Sequence, residues 1–222
     1  MAQIEVELHK MFYTPLWRFK YPDFKNDEEY LVRYLGQDEL YIVPRERNGL
    51  QTTKANLHKD PALERLSSFF HACAEYVMND MGYKPDVGIT SMWATRQRKG
   101  GFHHSHSHAN SFLGAAFHLF DINDSASGTV FQNLSREKYV IQPQRNGNEL
   151  MLKPEEELQF EPGTLCIFPA WATHYTRPTD CEYRIVVAAN FMPIGMTDFD
   201  HYDRYNYPEI HDMVLKEYDD KE

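Results

Sequence analysis

The 222-residue sequence contains few cysteines and no long apolar run. Its three cysteines, Cys73, Cys166 and Cys181, lie far apart without CxxC spacing, which excludes a disulfide framework and predicts buried, reduced thiols. No stretch approaches the roughly 18 apolar residues that a membrane span needs. The charged residues in MAQIEVELHKMFY interrupt any signal-peptide core. Together these absences predict a cytoplasmic protein with no membrane segment.

The sequence also has no excess of basic residues over acidic ones. Lys and Arg number 23 against 33 Asp and Glu, which gives a formal net charge of −10. Residues 197–222 hold nine of the acidic and three of the basic residues, so residues 1–196 carry only −4. Nucleic-acid surfaces depend on clustered Lys and Arg, so the sequence gives no strong nucleic-acid signal. The acidic tail over 197–222 is predicted to be a solubilising end rather than a contact for a basic partner.

Two helices are predicted in the N-terminal part of the chain, about residues 1–85. Residues 26–36 form a short amphipathic pattern that ends at a glycine. Residues 60–82 give a stronger pattern, because Pro61 suits the first helical position and apolar residues recur at three- and four-residue steps. We expect this apolar stripe to pack against a core.

Short strands are predicted in a core of about residues 86–194. The candidate segments are VGITSMWATRQR, FHHSHSH, SFLGAAFHLF, GTVFQNL, KYVIQ, ELMLK, GTLCIFPAW and YRIVVAANF. They are rich in β-branched and aromatic residues and are separated by turn residues. This pattern is typical of an antiparallel sandwich or barrel, the jelly roll included. The sequence therefore predicts a single α+β domain over 1–222, mainly β with flanking helices.

Four of the eleven histidines fall within residues 103–108. If this segment is a strand, its side chains alternate, and His104, His106 and His108 share one face. Two imidazoles at positions i and i+2 can both reach one ion at about 2.0–2.1 Å. Three in a row cannot easily converge, because a strand advances about 3.3 Å per residue. The pattern predicts a metal site that uses two of these histidines, either pair, and a third ligand from elsewhere.

Two later residues extend the predicted site. His174 follows an apolar segment that begins at a Pro-Gly turn, and it is the candidate third ligand. Arg184 lies ten residues later, alone among the apolar residues of a predicted strand. A charged guanidinium in that position needs an anionic partner. The alternatives are a core carboxylate and, as the favoured interpretation, the carboxylate of a small molecule held by both arms of the guanidinium.

Three motifs in this part of the chain resemble the iron(II)- and 2-oxoglutarate-dependent oxygenases, and within them a small bacterial and phage family. The family patterns are HxHPNSxxSG, FPSWxxH and RxSxxxN. Here residues 106–114 read HSHANSFLG, residues 168–174 read FPAWATH, and residues 184–190 read RIVVAAN. The stretch MFYTPLWRF at residues 11–19 is similar to the opening of that family. The likeness covers roughly residues 11–193.

The resemblance implies a double-stranded β-helix of the jelly-roll and cupin-like kind. It also implies a dioxygenase that couples decarboxylation of 2-oxoglutarate to oxidation of a substrate, with Fe(II) and 2-oxoglutarate as cofactors. His106 and His174 are the implied iron ligands, and the match places His108, rather than His104, beside them. Arg184 is implied to pair with the far carboxylate of 2-oxoglutarate.

Three positions differ from the residues that are usual in the sites of such oxygenases. His108 occupies the place of the carboxylate in the usual triad of two histidines and one carboxylate. Three neutral imidazoles leave a bound iron one unit more positive than that triad does. Val186 and Ala170 stand where the family commonly has serine.

Three further residues are predicted to line the pocket. Asn190 shares the Arg184 face by strand alternation and is assigned to the co-substrate. Trp93 lies in the middle of a predicted strand, and Asn110 shares the face of the histidine motif. The predicted substrate is a small molecule or a peptide.

Three alternatives remain open at this point. A cupin-type dioxygenase with three histidines and no 2-oxo acid lacks its expected Glu after the histidine motif, and His174 lies farther from Gly163 than the cupin pattern has it. A metal-stabilised binding protein is the second alternative. A zinc hydrolase is the third, because three-histidine zinc sites activate water, but it gives Arg184 no role.

Overall fold

A computed structural model of the chain describes residues 13–47, 49–121, 128–133 and 153–194. Within these ranges the elements in order are β1 (Trp17–Lys20), α1 (Phe24–Leu35), β2 (Tyr41–Arg47), β3 (Leu50–Thr53), α2 (Glu64–Asp80), β4 (Val87–Arg98), β5 (Leu113–Asp121), β6 (Thr129–Gln132), β7 (Glu155–Leu158), β8 (Thr164–Pro169), β9 (His174–Thr176) and β10 (Tyr183–Pro193). Neither of these two helices has the length and apolarity needed to cross a membrane.

The strands form two antiparallel sheets. The large sheet has seven strands in the order β1-β8-β5-β10-β4-β3-β2, and the small sheet has three in the order β7-β6-β9. The longest pair, β4 with β10, continues from Val87 opposite Pro193 to Arg98 opposite Tyr183. A ring contact of 5.2 Å between Phe131 of β6 and Phe168 of β8 joins the two sheets. This arrangement confirms the predicted mainly β fold of the double-stranded β-helix class.

The large sheet has two distinct faces, as β10 shows. Ile185, Val187, Ala189 and Phe191 lie in the core that includes the buried residues of α1 and α2. Because side chains alternate along a strand, Arg184, Val186, Ala188 and Asn190 lie on the opposite face, toward the small sheet. We call this the inner face. The inner face positions the residues that matter for function.

The N-terminal part contains both predicted helices, but it is not only helical. The pattern at 26–36 corresponds to α1, and the pattern at 60–82 corresponds to α2 preceded by a single-turn 3-10 helix, Pro61–Leu63. The strands β1, β2 and β3 also belong to this part and join the large sheet. These strands could not be recognised from the sequence, because pairing with neighbouring strands, more than intrinsic propensity, determines such segments.

The prediction of a strand over residues 102–108 was wrong. This segment is irregular apart from one isolated antiparallel bridge between His106 and His174. The two residues exchange both backbone hydrogen bonds, at 3.0 and 2.9 Å. One further backbone hydrogen bond, from the Thr176 N–H to the His103 carbonyl at 3.2 Å, connects the segment to the small sheet. The predicted strands KYVIQ and ELMLK, apart from Lys153, and the acidic tail lie outside the described residues.

Candidate metal centre

The structure brings His106, His108 and His174 together. One ring nitrogen of each lies within 4.8 Å of those of the other two. The ring centroids are 4.3 Å apart for His106 and His174, 5.1 Å for His108 and His174, and 5.5 Å for His106 and His108. Small ring rotations are enough to bring nitrogens at this spacing onto one ion at about 2.0–2.1 Å. The three side chains can therefore hold a single metal ion.

Backbone carbonyls fix the tautomers of two of these histidines. The Nδ1 of His106 lies 2.8 Å from the carbonyl oxygen of His104, and the Nδ1 of His174 lies 2.9 Å from that of Ala172. A carbonyl oxygen only accepts hydrogen bonds, so each Nδ1 carries the proton and each Nε2 keeps its lone pair. Hydrogen bonds of this kind are typical of histidines that bind metals through the other nitrogen.

Asn190 has the same relationship to His108. The His108 Nδ1 donates to the Asn190 Oδ1 over 2.5 Å, which leaves the Nε2 lone pair of His108 available as well. The backbone N–H of His108 donates to the carbonyl of Ala170 at 2.9 Å. Hydrogen bonds thus fix the ring of His108 to β10 and its backbone to Ala170, the residue that follows β8. The role of Asn190 toward the co-substrate stays a prediction, and the structure adds this contact of its Oδ1 with His108.

All three imidazoles are in the neutral form that binds metal. Burial lowers the pKa of His106 to about 4, with a further contribution from His103 nearby. Burial also lowers the pKa of His174 to about 3, assisted by His106, and it lowers the pKa of His108. Metal ligands must be deprotonated to bind. The site is therefore ready for a metal ion at neutral pH without losing protons.

His104 is not part of this cluster. Its side chain is exposed, and it contributes to the centre through its backbone carbonyl. Strand alternation left the pairs His104/His106 and His106/His108 equally possible. The irregular backbone removes that ambiguity, because it brings His106 and His108 to the same side as His174. The group found among the described residues contains three histidines and no carboxylate.

Trp93 and Asn110, which the sequence also predicted to line the pocket, lie in different surroundings. Trp93 lies on the inner face, opposite Ala188, with its ring centroid 6.1 Å from that of His108. Asn110 is exposed and sits in a turn with φ of 55°, a left-handed conformation that Asn tolerates better than most residues. The strand from which its place in the pocket was argued does not form there, and its role in the pocket stays a prediction.

Arg184 lies farther along the inner face and is fully enclosed. Only 2% of the residue is exposed, and its Nη2 is 3.2 Å from the Nδ1 of His118. In the strand register His118 faces Val186, two residues beyond Arg184 in the direction of Asn190. The guanidinium therefore extends along the sheet toward the metal centre.

Small residues separate Arg184 from the metal centre. Ala188 pairs with Ala116, and Asn190 pairs with Gly114, so β10 and β5 contribute little side-chain bulk to this stretch of the inner face. A methyl group on Gly114 would lie 2.8 Å from Phe168 and 2.9 Å from the Nδ1 of His108. Space for a small acid and close packing around His108 both depend on these small residues.

The pocket around Arg184 contains two polar atoms that have no hydrogen-bond partner among the described residues. They are the Nε2 of His118 and the Oγ1 of Thr164, on residues that are each 3% exposed and face each other in the β5–β8 register. Buried polar atoms are normally satisfied, so two such atoms beside an arginine indicate a place for a ligand oxygen. The sequence analysis missed both residues. His118 had one detectable signal, as the only titratable residue in SFLGAAFHLF.

Aromatic residues surround both parts of this site. Phe160 stacks on His118 with centroids 4.6 Å apart, and the Arg18 guanidinium lies 4.7 Å from the centre of the same ring. Phe168 packs edge-on against His174 at 4.7 Å. Apolar walls of this kind strengthen electrostatic interactions with a bound anion or metal, because they keep water away.

Comparison with known proteins agrees with a metal centre at this place in the fold. Residues 91–190 match the family model described as "Putative 2OG-Fe(II) oxygenase", in which 2OG is 2-oxoglutarate. This range includes the histidine triad and Arg184. Comparison with curated protein sequences gave no match.

Solved structures with a similar fold include HygX from Streptomyces hygroscopicus, solved with nickel, 2-oxoglutarate and hygromycin B bound. It is 13% identical, covers 83% of this chain and 85% of its own, and has a TM-score of 0.57. The epimerase SnoN, in complex with Fe3+, alpha-ketoglutarate and nogalamycin RO, is 14% identical over 86% of this chain and 88% of its own, with a TM-score of 0.58. A Pseudomonas putida prolyl-4-hydroxylase is 11% identical, and the match covers 81% of this chain and 93% of that protein's chain, with a TM-score of 0.57.

Proposed function

We propose that the chain is a dioxygenase that uses Fe(II) and 2-oxoglutarate to hydroxylate a small molecule or a peptide, because residues 91–190 match the model of that oxygenase family. One observation carries the proposal. Three histidines with fixed Nε2 lone pairs lie at one end of the inner face, and the buried Arg184 extends toward them from the other. A metal-binding end and a guanidinium on one face are complementary to an acid with a carboxylate at each end.

The metal ligands in this proposal are His106, His108 and His174. Their donor set fits Fe(II), since imidazole is a common ligand for iron and the three neutral rings need lose no proton. When bound together with O2, Fe(II) and 2-oxoglutarate supply the oxidation, in which the acid becomes succinate and CO2 and the substrate gains an oxygen atom. Neutral His108, in the place of the usual carboxylate, leaves more positive charge at the metal.

Arg184 holds the co-substrate in this proposal. Its guanidinium can donate two parallel hydrogen bonds to the far carboxylate, and its enclosure makes that interaction stronger than it would be in water. Trp93 forms one wall beside His108, where the substrate would lie. Structural relatives solved with a metal ion and 2-oxoglutarate support the same pair of cofactors here.

A cytoplasmic location is part of the proposal. Cys73 and Cys166 are buried free thiols, and burial raises the pKa of each to about 12. Thiols kept in the protonated form are inert toward oxidation, as expected of small core residues in a reducing compartment.

Calorimetric titration of 2-oxoglutarate into anaerobic, Fe(II)-loaded protein tests the proposed function. We expect binding that requires the metal, that is lost in H174A, and that falls by at least about a hundredfold in R184Q, because charge-assisted, bidentate carboxylate contacts are strong. R184Q should still bind Fe(II). If the wild type binds Fe(II) but shows no affinity for 2-oxoglutarate, the protein is a dioxygenase of the cupin type or a binding protein, and the proposal is wrong.

A further inference from the structure

His118 is the least explained residue of the inner face. It is 3% exposed, lies between Arg184 and Phe160, and is the neighbour of Thr164 across the β5–β8 pair. Its Nδ1 is occupied by Arg184, and its Nε2 has no partner among the described residues. A buried histidine that serves packing alone would be expected to satisfy both nitrogens.

The contact with Arg184 determines which nitrogen of His118 carries the proton. A guanidinium has only donors, so the His118 Nδ1 must accept from the Arg184 Nη2. In the neutral ring the proton is then on Nε2, which makes this nitrogen a donor. The neighbouring Arg184 and complete burial both keep a second proton off the ring.

The polar groups at this end of the pocket thus have one feature in common: they offer hydrogens. The Arg184 guanidinium has only donors, His118 offers its Nε2–H, and the Thr164 hydroxyl can offer another. An arrangement of donors around one arginine is complementary to a carboxylate, which only accepts and has two oxygens. Val186, in the place of the family's serine, removes a hydroxyl from this face, and Thr164 and His118 provide the polar groups that remain.

We propose that His118 donates its Nε2–H to the far carboxylate of the 2-oxo acid, beside Arg184, and thereby selects a co-substrate that has a second carboxylate. This inference rests on the proposed function, because it assigns a residue to the co-substrate of the same site. The role of His118 is binding and selection. Its effect therefore depends on the ligand's far carboxylate and is absent for an acid that lacks it.

Two ligands and a matched set of variants test this role. The ligands are 2-oxoglutarate and 2-oxopentanoate, which has the same five-carbon chain but no far carboxylate. H118N keeps an acceptor for Arg184 at the position of Nδ1 and removes the Nε2–H. H118Q places an amide N–H near the position of Nε2. H71N makes the same change as H118N at a partly exposed histidine of α2, outside the pocket, and serves as the control.

Anaerobic calorimetry on each Fe(II)-loaded protein provides the measurement. For H118N we expect the affinity for 2-oxoglutarate to fall at least about tenfold, the effect of a lost hydrogen bond to a charged group, with the affinity for 2-oxopentanoate changed less than about twofold. H118Q should recover part of the loss, and H71N should bind both acids like the wild type.

Two results would overturn the inference while leaving the proposed function intact. One is unchanged binding of 2-oxoglutarate by H118N, or by H118Q and a His118→Phe variant if H118N does not fold. The other is an equal loss of affinity for both acids, which would mean that His118 only supports the fold of the pocket. Wild-type protein that holds Fe(II) but binds neither acid would contradict the proposed function itself, and the inference with it.

Discussion

His108 and Asn190 are joined by a hydrogen bond of 2.5 Å between Nδ1 and Oδ1, although 82 positions separate them in the chain. Asn190 lies on β10, which pairs with both β4 and β5 in the middle of the large sheet. His108 lies in an irregular segment with no strand of its own. The orientation of one candidate metal ligand is therefore determined by the central strand of the large sheet.

Removing this contact should weaken metal binding without abolishing it. We expect N190A to lower the affinity for Co(II) or Fe(II) by about 10–100-fold, the usual effect of losing the partner of a ligand imidazole. N190D keeps an acceptor at the same place and should stay closer to the wild type. Titration with Co(II), followed by its visible absorption, measures both. N190A with wild-type affinity would show that the hydrogen bond does not orient the ring.

A methyl group at position 114 should have a related effect. The added carbon of G114A would meet the Phe168 ring and the His108 Nδ1 at 2.8 and 2.9 Å, closer than such contacts allow, so the imidazole must move away from Asn190. We expect metal affinity to fall, and the loss in the G114A/N190A double variant to be smaller than the sum of the two, because both changes act on one ring. S107A, at an exposed position of the same segment, is the control.

The choice between His104 and His108 can be tested directly. H108A should lose most of its Fe(II) affinity, because one of three ligands is removed. H104A should bind Fe(II) like the wild type, since His104 serves the centre through its backbone carbonyl and its side chain is exposed. Equilibrium dialysis with metal analysis gives the stoichiometry of each. Loss of the metal in H104A and its retention in H108A would reverse the assignment.

His118 should make the stability of the protein depend on pH. Complete burial, then the positive charges of Arg184 and Arg18, hold its pKa well below the usual value. Below about pH 6.5 an unfolded histidine gains a proton that the folded one does not, so this contribution to stability is present above pH 6.5 and is lost as the pH falls. Between pH 7.5 and 5.5 one such group costs about 1.4 kcal/mol. Urea unfolding of metal-free protein should therefore show a smaller loss in H118N than in the wild type, and equal losses would contradict the prediction.

Arg96 is expected to stabilise the outer side of the large sheet. Its side chain is buried, donates to the Gln51 Oε1 at 2.8 Å and to the Gly36 carbonyl at 3.3 Å, and stacks over Tyr41 at 4.2 Å. R96A should lower the free energy of unfolding by about 2–3 kcal/mol, because these acceptors and the ring lose their partner. The ion pair with Asp38 contributes little, since that side chain is 86% exposed, and D38A should cost less than about 1 kcal/mol. Similar losses in both variants, measured by urea unfolding, would show that the ion pair dominates.

The parts of the fold with strong periodicity could be predicted from the sequence. The β4 segment VGITSMWATRQR and the helix α2 have enough residues for the alternation or the helical repeat to be recognised. The strands β1 and β3 have four residues each and gave no usable pattern. Pairing with long neighbours stabilises such strands, and this information is not local in the sequence.

The residues of the candidate site also differ in whether the sequence alone reveals them. His106, His108, His174 and Arg184 could be found because each is conspicuous in sequence, as a cluster or as a lone charge. His118 and Thr164 could not be assigned, because a single histidine or threonine in an apolar strand is common, and only the register places them beside Arg184. The strand assumed at Asn110 was wrong for a physical reason, because the chain makes a left-handed turn at that residue.

The isolated bridge between His106 and His174 determines how two of the candidate ligands are positioned when no metal ion is bound. Two backbone hydrogen bonds, which need no ion, keep two of the three candidate ligands side by side. The centre is thus assembled by the polypeptide before any metal arrives. Loss of the ion would therefore leave the backbone of these two ligands in place, ready for an ion to bind again.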